Sequence, residues 1–197
     1  MAHDRFTAWV SLVAVTAMPS VASAHLLGPD GGGNFAAGFA HPFAGLDHQL
    51  AMLAIGLWSW QQQGAGRLAI PAGFVAGCAL GLVAPGLVAP LGPLWLAASV
   101  AALGACVAVA LRSRTVVALV AAIAVGALHG HVHGSDLAVA ASPAGFALGF
   151  LGATALLHAF GFSAGVFVPQ SARAVWVRAS GMAIGVAGLA LLAVAFG

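Results

Sequence analysis

The chain has 197 residues, 62% of them hydrophobic and only 5% charged, with a mean hydropathy of +1.07. Soluble domains carry about a quarter charged residues, so this composition excludes a soluble globular protein and specifies a membrane-embedded one. Six Arg against four Asp leave a formal charge of +2, with neither Lys nor Glu in the chain; that is no basic patch, and it excludes a nucleic-acid partner.

Residues 1–24 read as a secretory signal peptide. His3 and Arg5 open it, an apolar run from Phe6 to Val15 follows, Pro19 breaks the helix and Ala22-Ser23-Ala24 offers small residues for cleavage. Cleavage there makes His25 the new N-terminus, ahead of a Gly-rich arm, and leaves 25–197 as one transmembrane domain. Six apolar runs then approach the ~20 residues that cross a bilayer. They cover about 35–60, 68–88, 93–111, 115–133, 137 or 143–168, and 174–196. The expected fold is therefore all-α, a polytopic helix bundle of about six transmembrane helices.

Orientation follows from the arginines. With the mature N-terminus outside, Arg67, Arg112, Arg114, Arg173 and Arg178 all fall on inner connections, while Asp30 and Asp136 fall on outer ones. This is the positive-inside pattern, and it predicts a multi-pass membrane protein with its mature N-terminus outside. Trp58, Trp60, Trp95 and Trp176 lie at predicted span ends, where indoles belong. Cys78 and Cys106 sit in apolar runs without CxxC spacing and read as small packing residues. The spacings Gly77/Gly81, Gly145/Gly149, Gly161/Gly165 and Gly181/Gly185 fit close helix contacts. The two halves of three spans show no convincing sequence match to each other.

Two stretches break this apolar monotony, Ala40-His41-Pro42-Phe43-Ala44-Gly45-Leu46-Asp47-His48 and Leu128-His129-Gly130-His131-Val132-His133-Gly134-Ser135-Asp136. They hold five of the eight His and two of the four Asp. The topology sets both in the outer half of the bundle. On continuous helices His41 and His48 share a face, with Asp47 about a third of a turn away. His129, His133 and Asp136 form an i, i+4, i+7 stripe, with His131 opposite; Gly130 and Gly134 can unwind this end.

A carboxylate near hydrocarbon is costly unless paired, and marks a functional site. Two such clusters at one depth point to a cation site. Imidazole and carboxylate without thiolate suit nickel, cobalt, zinc, iron(II) or copper(II), and suit magnesium and calcium poorly. His158, deeper in the fifth run, reads either as a helix contact or as a waystation on an inward path.

The two stretches resemble the signatures of the HupE/UreJ family of nickel and cobalt permeases. The first family pattern, HPFxGxDH, stands complete from His41 to His48. The second, FHGxAHGxE, is met by LHGHVHGSD from Leu128 to Asp136, with Leu128 for Phe, Val132 for Ala and Asp136 for Glu. The resemblance implies secondary transport of a divalent transition metal, Ni2+ or Co2+ as substrate, for hydrogenase or urease maturation. The site it implies comprises His41, Asp47, His48, His129 and His133, to which Asp136 is added from its place in the second stretch. No resident cofactor and no enzymatic activity are expected.

Three other readings compete. Gly161-Phe162-Ser163-Ala164-Gly165 matches GxSxG with His158 nearby, as an intramembrane protease would require, but a nucleophile elbow needs a strand–turn–helix setting. Paired histidines on facing helices can ligate haem, although acidic neighbours disfavour it. A metal-binding accessory protein that does not transport has the same ligand chemistry.

Overall fold

The computed structural model describes residues 33–84, 86 and 92–196. The predicted signal peptide, His25 and most of the Gly-rich arm lie outside the described residues. Among the described residues every regular element is helical: α1 (Phe35–Ala40), a 3-10 turn (His41–Phe43), α2 (Leu46–Gln61), α3 (Gly66–Val83), α4 (Pro93–Ala108), α5 (Thr115–His131), α6 (Gly134–Val139), α7 (Pro143–Phe167) and α8 (Arg173–Phe196).

Six of these are long helices, and they match the six predicted runs with altered ends. The first run does not form one helix. Pro42, in a 3-10 turn, and Gly45, extended at φ −105° and ψ 124°, separate α1 from α2. The second run stops at Val83 rather than Val88. The fourth stops at His131, and the fifth begins at Pro143, where Ser142 Oγ accepts from Gly145 N–H. By length and composition α3, α7 and α8 can each cross a membrane, and α4 and α5 are shorter apolar helices. The polarity is that of a membrane bundle: Leu68, Val120, Val186 and Leu189 are exposed, whereas His48, Gln49, Ser99, His129, Thr154 and His158 are buried.

Packing joins the long helices in three pairs, α2 with α7, α3 with α5 and α4 with α8. The glycine spacings find partners here. Gly77 and Gly81 abut the Ile123 and Ala127 carbonyls of α5, and Gly126 and Gly130 abut the Phe74 and Cys78 carbonyls of α3. Gly161 abuts the Leu53 carbonyl of α2, Gly149 that of Phe35, and Gly181 the backbone at Val107 and Ala108 of α4. Side chains at such positions would hold the backbones apart. Residue numbers rise together along the α2–α7 and α3–α5 contacts and oppose along α4–α8. The first two pairs are thus parallel and the third antiparallel.

The basic residues collect at one end. Arg67, Arg112 and Arg178 line a single recess beside Trp60 and the Gln61–Gln63 turn. Arg178 Nε donates to the Ala108 carbonyl (2.8 Å) and Arg173 Nε to the Val168 carbonyl (3.0 Å), so cations cap the C-termini of α4 and α7. The first histidine stretch lies at the opposite end of α2.

Candidate metal centre

The first stretch is shaped by a helix start. Gly45 ends the 3-10 turn, and Asp47 enters the first turn of α2. One Asp47 oxygen, Oδ1, accepts from both the backbone N–H and the Nδ1–H of His48, each at 2.8 Å. A Cβ at Gly45 would come within 2.7 Å of that oxygen and 3.0 Å of His48 Nδ1. Here glycine is a requirement of the carboxylate–imidazole pair rather than of the turn. Gln49 Nε2 donates to the Phe43 carbonyl at 2.7 Å and ties the 3-10 turn to α2.

The second stretch does not continue as a helix. Close approach of Gly130 to α3 fixes the last turn of α5, then Val132 caps it, and His133 (φ −105°, ψ 5°) starts the short α6. The expected i, i+4, i+7 stripe is thus broken between His129 and His133. His133 and Asp136 still meet, three residues apart, with Nδ1 of His133 3.1 Å from Asp136 Oδ2. That hydrogen bond holds the Asp136 carboxyl below the usual carboxylate range. His131 lies beside Gly81 of α3 through its backbone.

Both stretches converge. Nε2 of His48 and Nε2 of His133 are 2.6 Å apart. The His48 ring lies 5.3 Å from that of His129, and the His41 ring 4.2 Å from that of His133. His41 Nε2 is 3.8 Å from Asp136 Oδ2. The candidate ligand atoms of His41, His133 and Asp136 all lie within 4.8 Å of one another.

The hydrogen positions follow from the acceptors. A carboxylate only accepts, so Asp47 and Asp136 place hydrogens on Nδ1 of His48 and His133. The Val125 carbonyl, 2.9 Å from His129 Nδ1, does the same there. With their Nδ1 positions so occupied, all three imidazoles turn Nε2 toward the centre as the nitrogen left to bind a proton or a metal. Two of these face each other, and His129 Nε2 is buried without a partner. Leaving such an acceptor unmet costs about 1–3 kcal/mol. A single proton satisfies the facing pair, whereas a metal cation would engage that pair and the unmet His129 acceptor together. With metal–nitrogen bonds of about 2.0–2.1 Å, tetrahedral ligation would spread the His48–His133 nitrogens to roughly 3.3 Å. That is a side-chain adjustment of under an ångström.

Asp47 and Asp136 thus fit as partners that orient imidazoles, a recurrent outer layer of metal sites. Three supporting residues were not singled out from the sequence. Gln49 stood beside the first motif, where its polarity in an apolar run was a signal. Phe150, 5.2 Å from the His133 ring, and Phe74, 5.3 Å from the His129 ring, gave none in a chain with eleven Phe. The GxSxG run lies inside the uninterrupted α7, and neither nitrogen of His158 has a hydrogen-bond partner, so no Ser163–His158 couple forms.

An all-helical, membrane-type bundle built around clustered histidines and carboxylates is the class that fold and site define. Residues 13–191 match the family described as HupE / UreJ protein. The chain is also 37% identical over 193 residues to Protein HupE of Rhizobium leguminosarum bv. viciae, covering 95% of this chain and 98% of that one. It belongs to the HupE/UreJ family. No solved structure matches it.

Proposed function

We propose that the chain is a secondary permease that carries a divalent transition metal, nickel or cobalt, from the outer side of a bacterial inner membrane into the cytoplasm. Its cargo would serve hydrogenase or urease maturation, as the family resemblance implies. The six long helices would each cross the membrane, the 3-10 turn and α1 completing the first span. The mature N-terminus would lie outside and the arginine-rich end inside, in keeping with the positive-inside rule.

The observation that carries this reading is the His48–His133 pair. Two imidazole nitrogens from separate segments, each on a ring whose Nδ1 is tied to a carboxylate, face each other across 2.6 Å. His41 and His129 would complete the nitrogen donors, with Asp136 orienting His133 from beside them, and this nitrogen-rich chemistry favours nickel or cobalt over magnesium or calcium. The chain has no GxxxxGK[ST] motif, so ion gradients or the membrane potential would drive transport.

Uptake of radioactive nickel into liposomes containing the purified protein tests the reading. The wild-type chain should accumulate nickel, and His48→Ala should abolish uptake while still inserting into the membrane. Full uptake by that variant would refute the site. Nickel binding by the wild type without uptake would favour a non-transporting accessory protein instead.

A further inference from the structure

His158 of α7 stands apart from the cluster and lacks partners. It is 3% exposed, and both ring nitrogens are buried without a hydrogen bond. A neutral imidazole has one donor and one acceptor to satisfy, and protein interiors rarely leave both unmet. The same residue lines an open, mainly apolar groove of about 850 Å³ between α3 and α7, walled by Leu68, Val75, Ala79 and Phe162, with Ser59 and Arg67 as polar members near the arginine-bearing end. Pro71, on the groove wall, has no N–H, so the Arg67 carbonyl lacks its intrahelical donor.

Phe74 contacts both His158 and a member of the outer centre. Its fully buried ring lies 5.1 Å from His158, edge to face, and 5.3 Å from His129. One apolar ring therefore touches both imidazoles.

The helix pairs relate the two regions independently. Gly56 abuts the His158 carbonyl as Gly126 abuts that of Phe74, and Gly161 abuts the Leu53 carbonyl as Gly77 abuts that of Ile123. Phe74, Gly77 and Gly81 have the same spacing as His158, Gly161 and Gly165. Exchanging α2 with α5, α3 with α7 and α4 with α8 maps the α2–α7 and α3–α5 pairs onto each other and the α4–α8 pair onto itself, with helix direction reversed. In that exchange Ser59 takes the place of His129. The groove at Ser59 is the inner counterpart of the outer histidine centre, as inverted repeats arrange the two halves of a transport path.

We propose that His158 is a second cation station. A divalent transition metal leaving the outer centre passes the Phe74 ring, is held by an imidazole nitrogen of His158, and departs through the α3–α7 groove. This rests on the permease reading and supplies its inward half. One imidazole as the sole protein ligand, with the ion keeping its remaining waters, makes a weak site, and weak sites let ions leave.

The test compares nickel binding with nickel uptake, using Ni2+ alone as the probe and the full chain in liposomes. His158→Leu should bind nickel within about threefold of the wild-type affinity while its uptake rate falls at least tenfold. Unchanged uptake with binding retained overturns the station and leaves the permease reading intact. A second measurement decides the matter if the Leu variant loses binding, or if the wild type binds nickel without moving it. In a Cys78→Ala, Cys106→Ala background, His158→Cys should react with a charged thiol reagent applied from the arginine-bearing side, and Ni2+ should slow that reaction. No reaction from that side, or no protection by Ni2+, overturns the station.

Discussion

Replacing Asp47 by Asn separates the carboxylate's charge from its shape. The amide keeps an oxygen where Oδ1 accepts from the backbone N–H and Nδ1–H of His48. The backbone bond is present with and without metal, so its weakening cancels from the affinity. The Nδ1–H bond does not cancel, because a cation on Nε2 makes that hydrogen more acidic and the charged acceptor more valuable. Loss of such a partner lowers metal affinity about 10–100-fold, or roughly 1.4–2.7 kcal/mol. The Asp47 side chain is 28% exposed against 39% for Asp136. The better-buried charge is less screened, so Asp47→Asn should sit at the upper end and Asp136→Asn at the lower. Calorimetric titration of detergent-purified protein with Ni2+ measures both. His48→Ala, which deletes a nitrogen donor, should lose more than either. A dissociation constant for Asp47→Asn within twofold of wild type would refute the reasoning. A loss as large as that of His48→Ala would make Asp47 a direct ligand.

Gly45→Ala should lower nickel affinity at least tenfold with little change in thermal unfolding, since its Cβ meets the Asp47–His48 pair and not the core; an unchanged affinity in the same titration would count against that contact. Gly126→Val should act in the opposite way, forcing α5 from the Phe74 carbonyl and destabilising the fold by about 1–3 kcal/mol or more, read as a lower unfolding temperature in detergent. Acidification from pH 6.5 to 4.5 should weaken nickel binding, because burial holds the His133 imidazole below its ordinary value of about 6.5 and protons compete for it only as the pH falls through that lower range. Asp136 stays ionised across that window, since His133 holds its carboxyl low, so the pH slope should persist in Asp136→Asn.

The helices were legible because each is a simple pattern: apolar runs, arginines at one set of ends, glycines at helical spacing. Their interruptions were less so. A continuous first helix was expected through Pro42 and Gly45, and a continuous stripe through His133. In both places tertiary contacts outweigh local periodicity, since His41 and His133 must leave their helices for their rings to meet at 4.2 Å. The six expected site residues do converge, because the motifs name the side chains that need partners. The glycine-bearing pairs could not be assigned from spacing alone, for register between helices is decided by which carbonyl each glycine meets. The likeness of the two halves was hidden for the same reason: it lies in backbone contacts, while the side chains, Phe74 against His158, differ.

The convergence of imidazole nitrogens from separate segments gives a last prediction. Three Nε2 atoms, on His48, His129 and His133, belong to rings whose Nδ1 is tied elsewhere. They come from α2, α5 and the start of α6, so one bound cation would tie together segments far apart in sequence. Binding to the folded chain alone stabilises it by about 2.7 kcal/mol at a hundredfold excess over the dissociation constant. For a chain of this size each kcal/mol raises the unfolding temperature by about 2–4 °C, so saturating Ni2+ should add roughly 5–10 °C. Magnesium should add nothing, because it prefers oxygen donors and holds its water. The shift should vanish in His48→Ala and in His133→Ala. An equal shift with Mg2+, or one that survives both substitutions, would mean that the cation binds elsewhere and that the facing nitrogens hold only a proton.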